Sequence, residues 1–208
     1  MMAGRIDQFA KRTLDITVAG VGLVVTAPVQ LVLACVIASR LGRPVLFVQP
    51  RPGKGGRVFN LVKFRSMLPV DEARGLVTDE DRMTTFGSVL RSTSLDELPT
   101  LWNVVRGDMS LVGPRPLLVR YLDRYSSRQA RRHDVRPGVT GLAQISGRNA
   151  ISWQDKLELD VLYVETRTLL GDIRILTATL IRVIRRDGVT AEGSVTTGEF
   201  LGNGGASS

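Results

Sequence analysis

Asp96 and Glu97, in the stretch SLDELP (94–99), set two carboxylates side by side shortly after Arg91. Acids in such a place serve a helix or serve chemistry. Ser94 and Glu97 match S-x-x-E, a capping box in which each side chain satisfies the other's backbone donor. In that frame Pro99 falls beyond the first turn, where it fits poorly. With Asp96 as N-cap, Pro99 falls inside the first turn, where its fixed φ suits a helix. Both frames put the carboxylates at a helix N-terminus, a place that also attracts phosphate. Both keep Asp96 ionised, with Arg91 close by. The chemical alternative is a nucleophile or base. His133 is the only histidine and Cys35 the only cysteine, which excludes multi-histidine metal sites and internal disulfides. A carboxylate, Lys, Ser or Tyr is left to do such work.

Two turn-rich stretches supply cations. GDMSLVGPRP (107–116) holds Arg115 between Pro114 and Pro116, and RPGVTGLAQISGRN (136–149) carries Arg136 and Arg148. A guanidinium on a rigid loop binds phosphate oxygens bidentately. Several such loops beside an acid pair weaken the capping explanation. RPGKGGR (51–57) lacks the spacing and Ser/Thr of a P-loop, no GxGxxG is present, and it reads as a basic turn. The net charge of +8 asks for an anionic partner. Nucleic acid is disfavoured: no recognisable DNA-binding motif or aromatic interleaving is present, and it would leave the apolar N-terminus unexplained.

The elements that must position these residues are mostly helical. PVLFVQPR (44–51) and VFNLVKFRSM (58–67) read as a β-hairpin, followed by a polar loop over 69–82. TTFGSVLRST predicts a short helix with Phe86, Val89 and Leu90 inward. LPTLWNVVRG predicts another, with Leu98, Leu101, Trp102 and Val105 at helical spacing and Gly107 as its stop. Further helices are expected at 117–131 and 151–166. His133 is expected to be exposed, and the tail from Gly193 to be disordered.

Residues 16–39 contain no charge. As a helix they reach about 36 Å, enough for a hydrocarbon core of about 30 Å. The run is long for a signal peptide, and the basic residues after it do not resemble a cleavage zone. Pro28, after Ala27, falls near its middle and predicts a bend. Lys11 and Arg12 precede the run while Arg40, Arg43, Arg51 and Lys54 follow it. If positive charge stays cytoplasmic, both ends belong there. A re-entrant hairpin and a kinked span both remain open. In DIRILTATLIRVIRR (172–186), Ile173, Leu176, Leu180 and Ile184 repeat at helical spacing, with Arg174, Arg182, Arg185 and Arg186 largely on another face. That pattern suits an anionic bilayer surface or a helix packed on its own domain.

KFRSM, LRSTSLDELPTLWNVVRGDMSLVGPRP and RPGVTGLAQISGRNAISWQDKLELDVLYV closely resemble the monotopic bacterial phosphoglycosyl transferases, also called bacterial sugar transferases. KRTLD with the Pro-broken apolar run resembles their N-terminal membrane hairpin, so the likeness covers residues 8–186, in the family's minimal form. It implies a mostly α fold with a small β-hairpin. A re-entrant helix-break-helix (1–43), turning at Ala27-Pro28 where the family commonly has Ser-Pro, precedes a compact cytosolic catalytic domain (44–187) with amphipathic interfacial helices, then the tail (188–208). It implies transfer of a phosphosugar from a nucleotide diphosphate sugar, usually a UDP-sugar, to polyprenyl phosphate such as undecaprenyl phosphate, releasing UMP. That step opens surface glycan assembly on the cytoplasmic face of the bacterial inner membrane. By the same resemblance Asp96 is the nucleophile and Glu97 helps hold Mg²⁺. Arg91 contacts phosphate, and Arg115 of Pro114-Arg115-Pro116 and Arg148 bind the nucleotide sugar. Lys63 and Arg65 either line the site or pair with surface acids. Lys11 and Arg12 meet lipid phosphate or anchor headgroups, and Asp160 and Asp172 take structural roles. An oligomer is compatible with all of this. A non-catalytic membrane adaptor is the alternative.

Overall fold

The computed structural model describes residues 2–147, 151–185 and 199–202. Helix α1 (Met2–Arg40) leads into an antiparallel hairpin of β1 (Leu46–Pro52) and β2 (Val58–Phe64), paired Leu46 to Phe64 and Arg51 to Phe59. After it come α2 (Asp79–Arg82), α3 (Thr85–Ser92) and α4 (Thr100–Arg106). Strand β3 (Ser110–Val112) pairs in parallel with β4 (Gly138–Thr140), and α5 (Ser127–Ala130) lies in the connection between them. Helices α6 (Leu142–Ser146), α7 (Trp153–Thr166) and α8 (Leu169–Arg185) follow.

The expected hairpin and the helices over 85–92, 100–106, 153–166 and 169–185 are present. The β3–β4 pair is not legible in the sequence, because three-residue strands buried on both faces carry no alternation. The helix expected at 117–131 is replaced by a 3₁₀ segment (Val119–Arg124), α5 and a further 3₁₀ turn (Arg131–Asp134). Ser126 and Gln129 form a capping box that starts a new helix there. Val89, expected inward, is about half exposed, and so is Trp102. Helix α4 buries Thr100, Asn103 and Val104 instead, because Asn103 completes the edge of β2: its Oδ1 accepts from Val62 N at 3.0 Å and its Nδ2 donates to Asn60 O at 2.8 Å.

The backbone of α1 stays helical through Ala27 and Pro28, so the expected break is a proline inside one helix. Pro28 removes one backbone donor. The turn around it is reinforced by Thr26 Oγ1 donating to Gly22 O (2.6 Å) and Gln30 Nε2 donating to Thr26 Oγ1 (2.9 Å). Residues 8–40 of this helix are long and apolar enough to cross a membrane. Val21, Val24, Val25, Leu31 and Val32 are exposed on it.

Segments of α1 on both sides of Pro28 nevertheless pack on the globular part. Near the middle, Ala19 joins a core with Phe59, Leu61, Val104, Leu111, Tyr163 and Ile175, and nearer the start Asp15 accepts from Leu111 N. Near the end, Ile37 and Leu41 join Phe64 and Leu90. Helix α8 combines the two expectations held for it. Asp172 and Ile175 face the domain, while Leu170, Ile173, Leu180 and Ile181 remain exposed. A third cluster corrects the disordered-tail expectation at one point, since Phe200 is buried among Tyr121, Tyr125, Trp153 and Leu157.

Candidate active site

The acid pair sits in a one-turn 3₁₀ segment, Leu95–Glu97, between α3 and α4. Ser94 before it has φ 56° and makes no capping hydrogen bond, and Pro99 takes the N-cap of α4. Neither capping frame is realised, then. A serine in the left-handed region is uncommon and costs on the order of 1–2 kcal/mol. Its effect here is to reverse the chain and turn Asp96 inward, with only 7% of its surface exposed.

Lys63, from the end of β2, and Arg115, from the loop after β3, converge on Glu97. Lys63 Nζ donates to Glu97 Oε1 at 2.5 Å and Arg115 Nη2 donates to the same oxygen at 2.9 Å. Burial would raise the Glu97 carboxyl, but the charges of Arg115 and Lys63 prevail and hold it at about 2. Asp96 has the opposite balance. Burial and then the neighbouring Glu97 charge push it up to about 6, against Lys63, Arg115 and Arg91. Asp96 remains ionised near pH 7, as expected, but its carboxylate is poorly solvated and its proton affinity is raised. Burial draws the Lys63 ammonium down, partly offset by Glu97.

Arg91, in the last turn of α3, donates from Nε to Ser66 Oγ (3.0 Å) and from Nη2 to Met67 Sδ (3.3 Å). Its charge acts on Asp96 without a direct bond to it. The Arg115 loop is held stiffly from behind. Gly113 N donates to Thr140 O (2.9 Å) and Gly138 N donates to Pro114 O (3.0 Å). Arg132 Nη2 donates to Arg115 O (2.6 Å) and to Asp160 Oδ2 (2.7 Å), a pair almost wholly buried. Arg51 Nη1 donates to Pro116 O (3.2 Å). Asp160 thus takes the structural role expected of it, through an arginine that sequence reasoning passed over.

The remaining candidates lie elsewhere. Arg65 donates to the carbonyls of Leu41 and Gly42, at the end of α1. Lys11 donates to Val112 O (3.2 Å) and Asp172 Oδ2 (2.5 Å). Arg12 donates to the Val104 and Val105 carbonyls at 2.7 and 2.9 Å, near the end of α4. The donors of Lys11 and Arg12 are therefore directed into the protein and not toward headgroups. Buried Asp15, which no sequence signal marked, accepts from Leu111 N (3.0 Å). Tyr163 OH reaches both Asp172 Oδ1 (2.8 Å) and Val112 O (3.0 Å). KRTLD is thus a docking motif that fixes α1 against α4, β3 and α8. Arg148 lies outside the described residues.

A Mg²⁺ ion fits the donor set in one respect. The protein contacts of Glu97 fall on Oε1, which leaves Oε2 for a cation, and Mg²⁺ is held by one or two carboxylates together with substrate phosphates and water. Among the described residues no group of three or more acids, histidines or cysteines could hold a metal alone. Such an ion would need the substrate to complete its shell.

Two carboxylates, one poorly solvated and one clamped, sit among three cations, a charge arrangement suited to phosphate esters. Residues 6–186 match the Bacterial sugar transferase family, and the chain belongs to it. It is a phosphoglycosyl transferase by class. Over 199 residues it is 47% identical to the uncharacterized sugar transferase EpsL of Bacillus subtilis, covering 95% of this chain and 98% of that one. It is 38% identical to the undecaprenyl-phosphate galactose phosphotransferase of Salmonella typhimurium, over 90% of this chain and 43% of that protein. It is 37% identical to the UDP-glucose:undecaprenyl-phosphate glucose-1-phosphate transferase of Caulobacter vibrioides, over 85% and 70%. The chain therefore spans nearly all of EpsL but about two fifths of the Salmonella enzyme.

Proposed function

We propose that this protein transfers a sugar phosphate from a nucleoside diphosphate sugar, a UDP-sugar, to a membrane-held polyprenyl phosphate, with Asp96 as the nucleophile. The observation that carries this is the pair itself: a buried, poorly solvated Asp96 beside a Glu97 clamped by Lys63 and Arg115. An Asp96 oxygen attacks the sugar-side phosphorus and forms an acyl phosphate. The bond from that phosphorus to the bridging oxygen breaks, and UMP leaves with the bridging oxygen. An oxygen of the polyprenyl phosphate then attacks the same phosphorus and releases the Asp96 carboxylate, giving polyprenyl-diphosphate-sugar.

Charge is the main obstacle to the first step. One like-charged pair at 4 Å costs about 4 kcal/mol at an effective dielectric of 20. Arg115 and Lys63 neutralise Glu97 and face the incoming phosphates, and Arg91 offsets Asp96. Bound Mg²⁺, held by Glu97 Oε2, would add neutralisation of the phosphate oxygens. The weak solvation of Asp96 leaves less water to strip from it before attack.

The acceptor reading rests on α1. Its apolar surface is exposed, yet residues on both sides of Pro28 pack on the same globular domain. Segments before and after Pro28 are then held to one side of the bilayer, which supports a helix that does not cross it, although α1 runs unbroken through Pro28. The exposed apolar stripe of α8 would lie at the same surface, on the cytoplasmic face of the inner membrane. Confinement of lipid phosphate and active site to one plane supplies proximity.

The test is nucleotide release from purified protein in detergent with Mg²⁺, undecaprenyl phosphate and a panel of UDP-sugars. UMP formed with one sugar and lost in Asp96→Asn is the expected result. UDP in its place would mean glycosyl transfer and overturn the mechanism. Lipid-linked product formed at an undiminished rate by Asp96→Asn would remove Asp96 from the nucleophilic role.

A further inference from the structure

The chain comes back to the globular domain over residues 199–202 and meets a site that matches it group by group. Phe200 is 4% exposed, stacked on Tyr125 (5.7 Å between centroids, 23° between planes) and edge-on to Tyr121 (5.7 Å, 75°), with Trp153 at 5.6 Å. The backbone is held as well. Phe200 N donates to Tyr121 OH (3.3 Å), and Arg124 Nη1 donates to Phe200 O and to Glu199 Oε1 (2.9 Å). Arg120 Nε is 3.2 Å from the same carboxylate oxygen. A ring, a backbone donor, a backbone acceptor and a carboxylate each find a partner, which a segment merely resting on an apolar patch would not require.

This site leads to the chemistry through Tyr125. The Tyr125 hydroxyl accepts from Arg132 Nη1 (3.3 Å), and the Arg132 guanidinium lies 5.5 Å from the centre of the same ring. His133, expected to be exposed, is half-buried beside that ring, 5.6 Å between centroids. Arg132 Nη2 donates to Arg115 O (2.6 Å), and the Arg115 guanidinium bonds Glu97 (2.9 Å). Direct contacts therefore run without a gap from Phe200 through Tyr125, Arg132 and Arg115 to the acid pair. The cluster that receives Phe200 is separate from the two that hold α1 and the hairpin. Loosening it acts on this side of the domain first.

We propose that residues 199–202 are a clasp on the Arg115 loop, and that Phe200 is a positioning residue for the transfer reaction, acting through Tyr125 and Arg132. With the ring in place Tyr125 is fixed, and its hydroxyl fixes one edge of the Arg132 guanidinium. With the pocket empty, Arg132 keeps Asp160 but loses that edge, so the Arg115 backbone is displaced and not released. The part of the proposal that concerns catalysis rests on the reading of Arg115 as a phosphate-facing group given above. The consequence is selective: use of the nucleotide sugar weakens while use of the lipid acceptor does not.

Hydrogen exchange of the full chain in detergent tests the clasp without turnover, in the wild type, Phe200→Ala and Phe200→Leu. Backbone amides of residues 111–118 should exchange about tenfold faster in Phe200→Ala, with those of α1 and β2 unchanged. Phe200→Leu, which keeps apolar bulk but offers Tyr125 no ring, should fall between the two. A peptide of residues 196–203 added to Phe200→Ala should restore protection, and the same peptide with Ala in place of Phe should not. In the UMP-release assay Phe200→Ala should raise the donor KM about fivefold and leave the acceptor KM as it was. Unchanged exchange over 111–118 overturns the proposal. Faster exchange everywhere, with kcat reduced and both KM values kept, overturns it too, because it marks a purely structural role. Loop exchange that responds to Phe200 and to the peptide, in a protein that releases UMP from no UDP-sugar, would sink the nucleotide-sugar reading and leave the clasp standing.

Discussion

Replacing Asp96 by asparagine removes a charge that the fold holds at a disadvantage, so the same change that ends the reaction should stabilise the protein. An ordinary aspartate titrates at 3.8 and Asp96 at about 6. At about 1.4 kcal/mol per tenfold difference in proton affinity, the charged form is disfavoured by about 3 kcal/mol relative to the unfolded chain. The sign follows from proton uptake. Between about pH 4 and about pH 6 the folded chain keeps a proton that the unfolded chain has released, so stability falls as pH rises through that window. Below it both states are protonated and the disadvantage vanishes; above it the disadvantage is complete. Asparagine has none at any pH. For a chain of this size 1 kcal/mol moves Tm by roughly 2–4 °C. Asp96→Asn should therefore melt on the order of 6–12 °C higher at pH 8 and close to wild type at pH 4. Thermal melts of both proteins in detergent with a chelator, across that range, are the assay. A gain independent of pH, or a loss at pH 8, would refute burial and Glu97 repulsion as the source of the raised Asp96 pKa.

Three further outcomes follow from the packing. Arg132→Met strands the buried Asp160 carboxylate and should cost about 3–5 kcal/mol in denaturant unfolding, with much of the loss recovered when Asp160→Asn is added. Gly138→Ala would set a methyl group 2.1 Å from Gly113 N. The Arg115 loop must then shift, so the donor KM should rise at least tenfold and Tm should fall by several degrees. Phe200→Ala empties the centre of the Tyr121, Tyr125 and Trp153 cluster and should cost about 3–5 kcal/mol in the same unfolding measurement, although residue 200 belongs to a stretch with the composition of a disordered tail.

Much of the site was legible because it is local. Asp96 and Glu97 are adjacent, Arg115 is held by its own flanking prolines, and short-range turn chemistry announces both. The apolar run, the hairpin and the longer helices were legible for the same reason, since periodicity and charge-free length are properties of neighbours in the chain. What sequence could not supply was long-range pairing. Lys63 and Arg65 are equivalent by type and lie two residues apart. Only the end of β2 decides that Lys63 meets Glu97 while Arg65 meets the end of α1. Lys11 and Arg12 carry the charges of headgroup anchors, and their use as internal docking groups needed Asp172 and the α4 carbonyls in place. The protonation of Asp96 belongs to the same class. Its residue type is written in the chain, but its affinity for a proton depends on how many atoms displace water around it and which charges stand beside it, and both are set by elements distant in sequence that fold together.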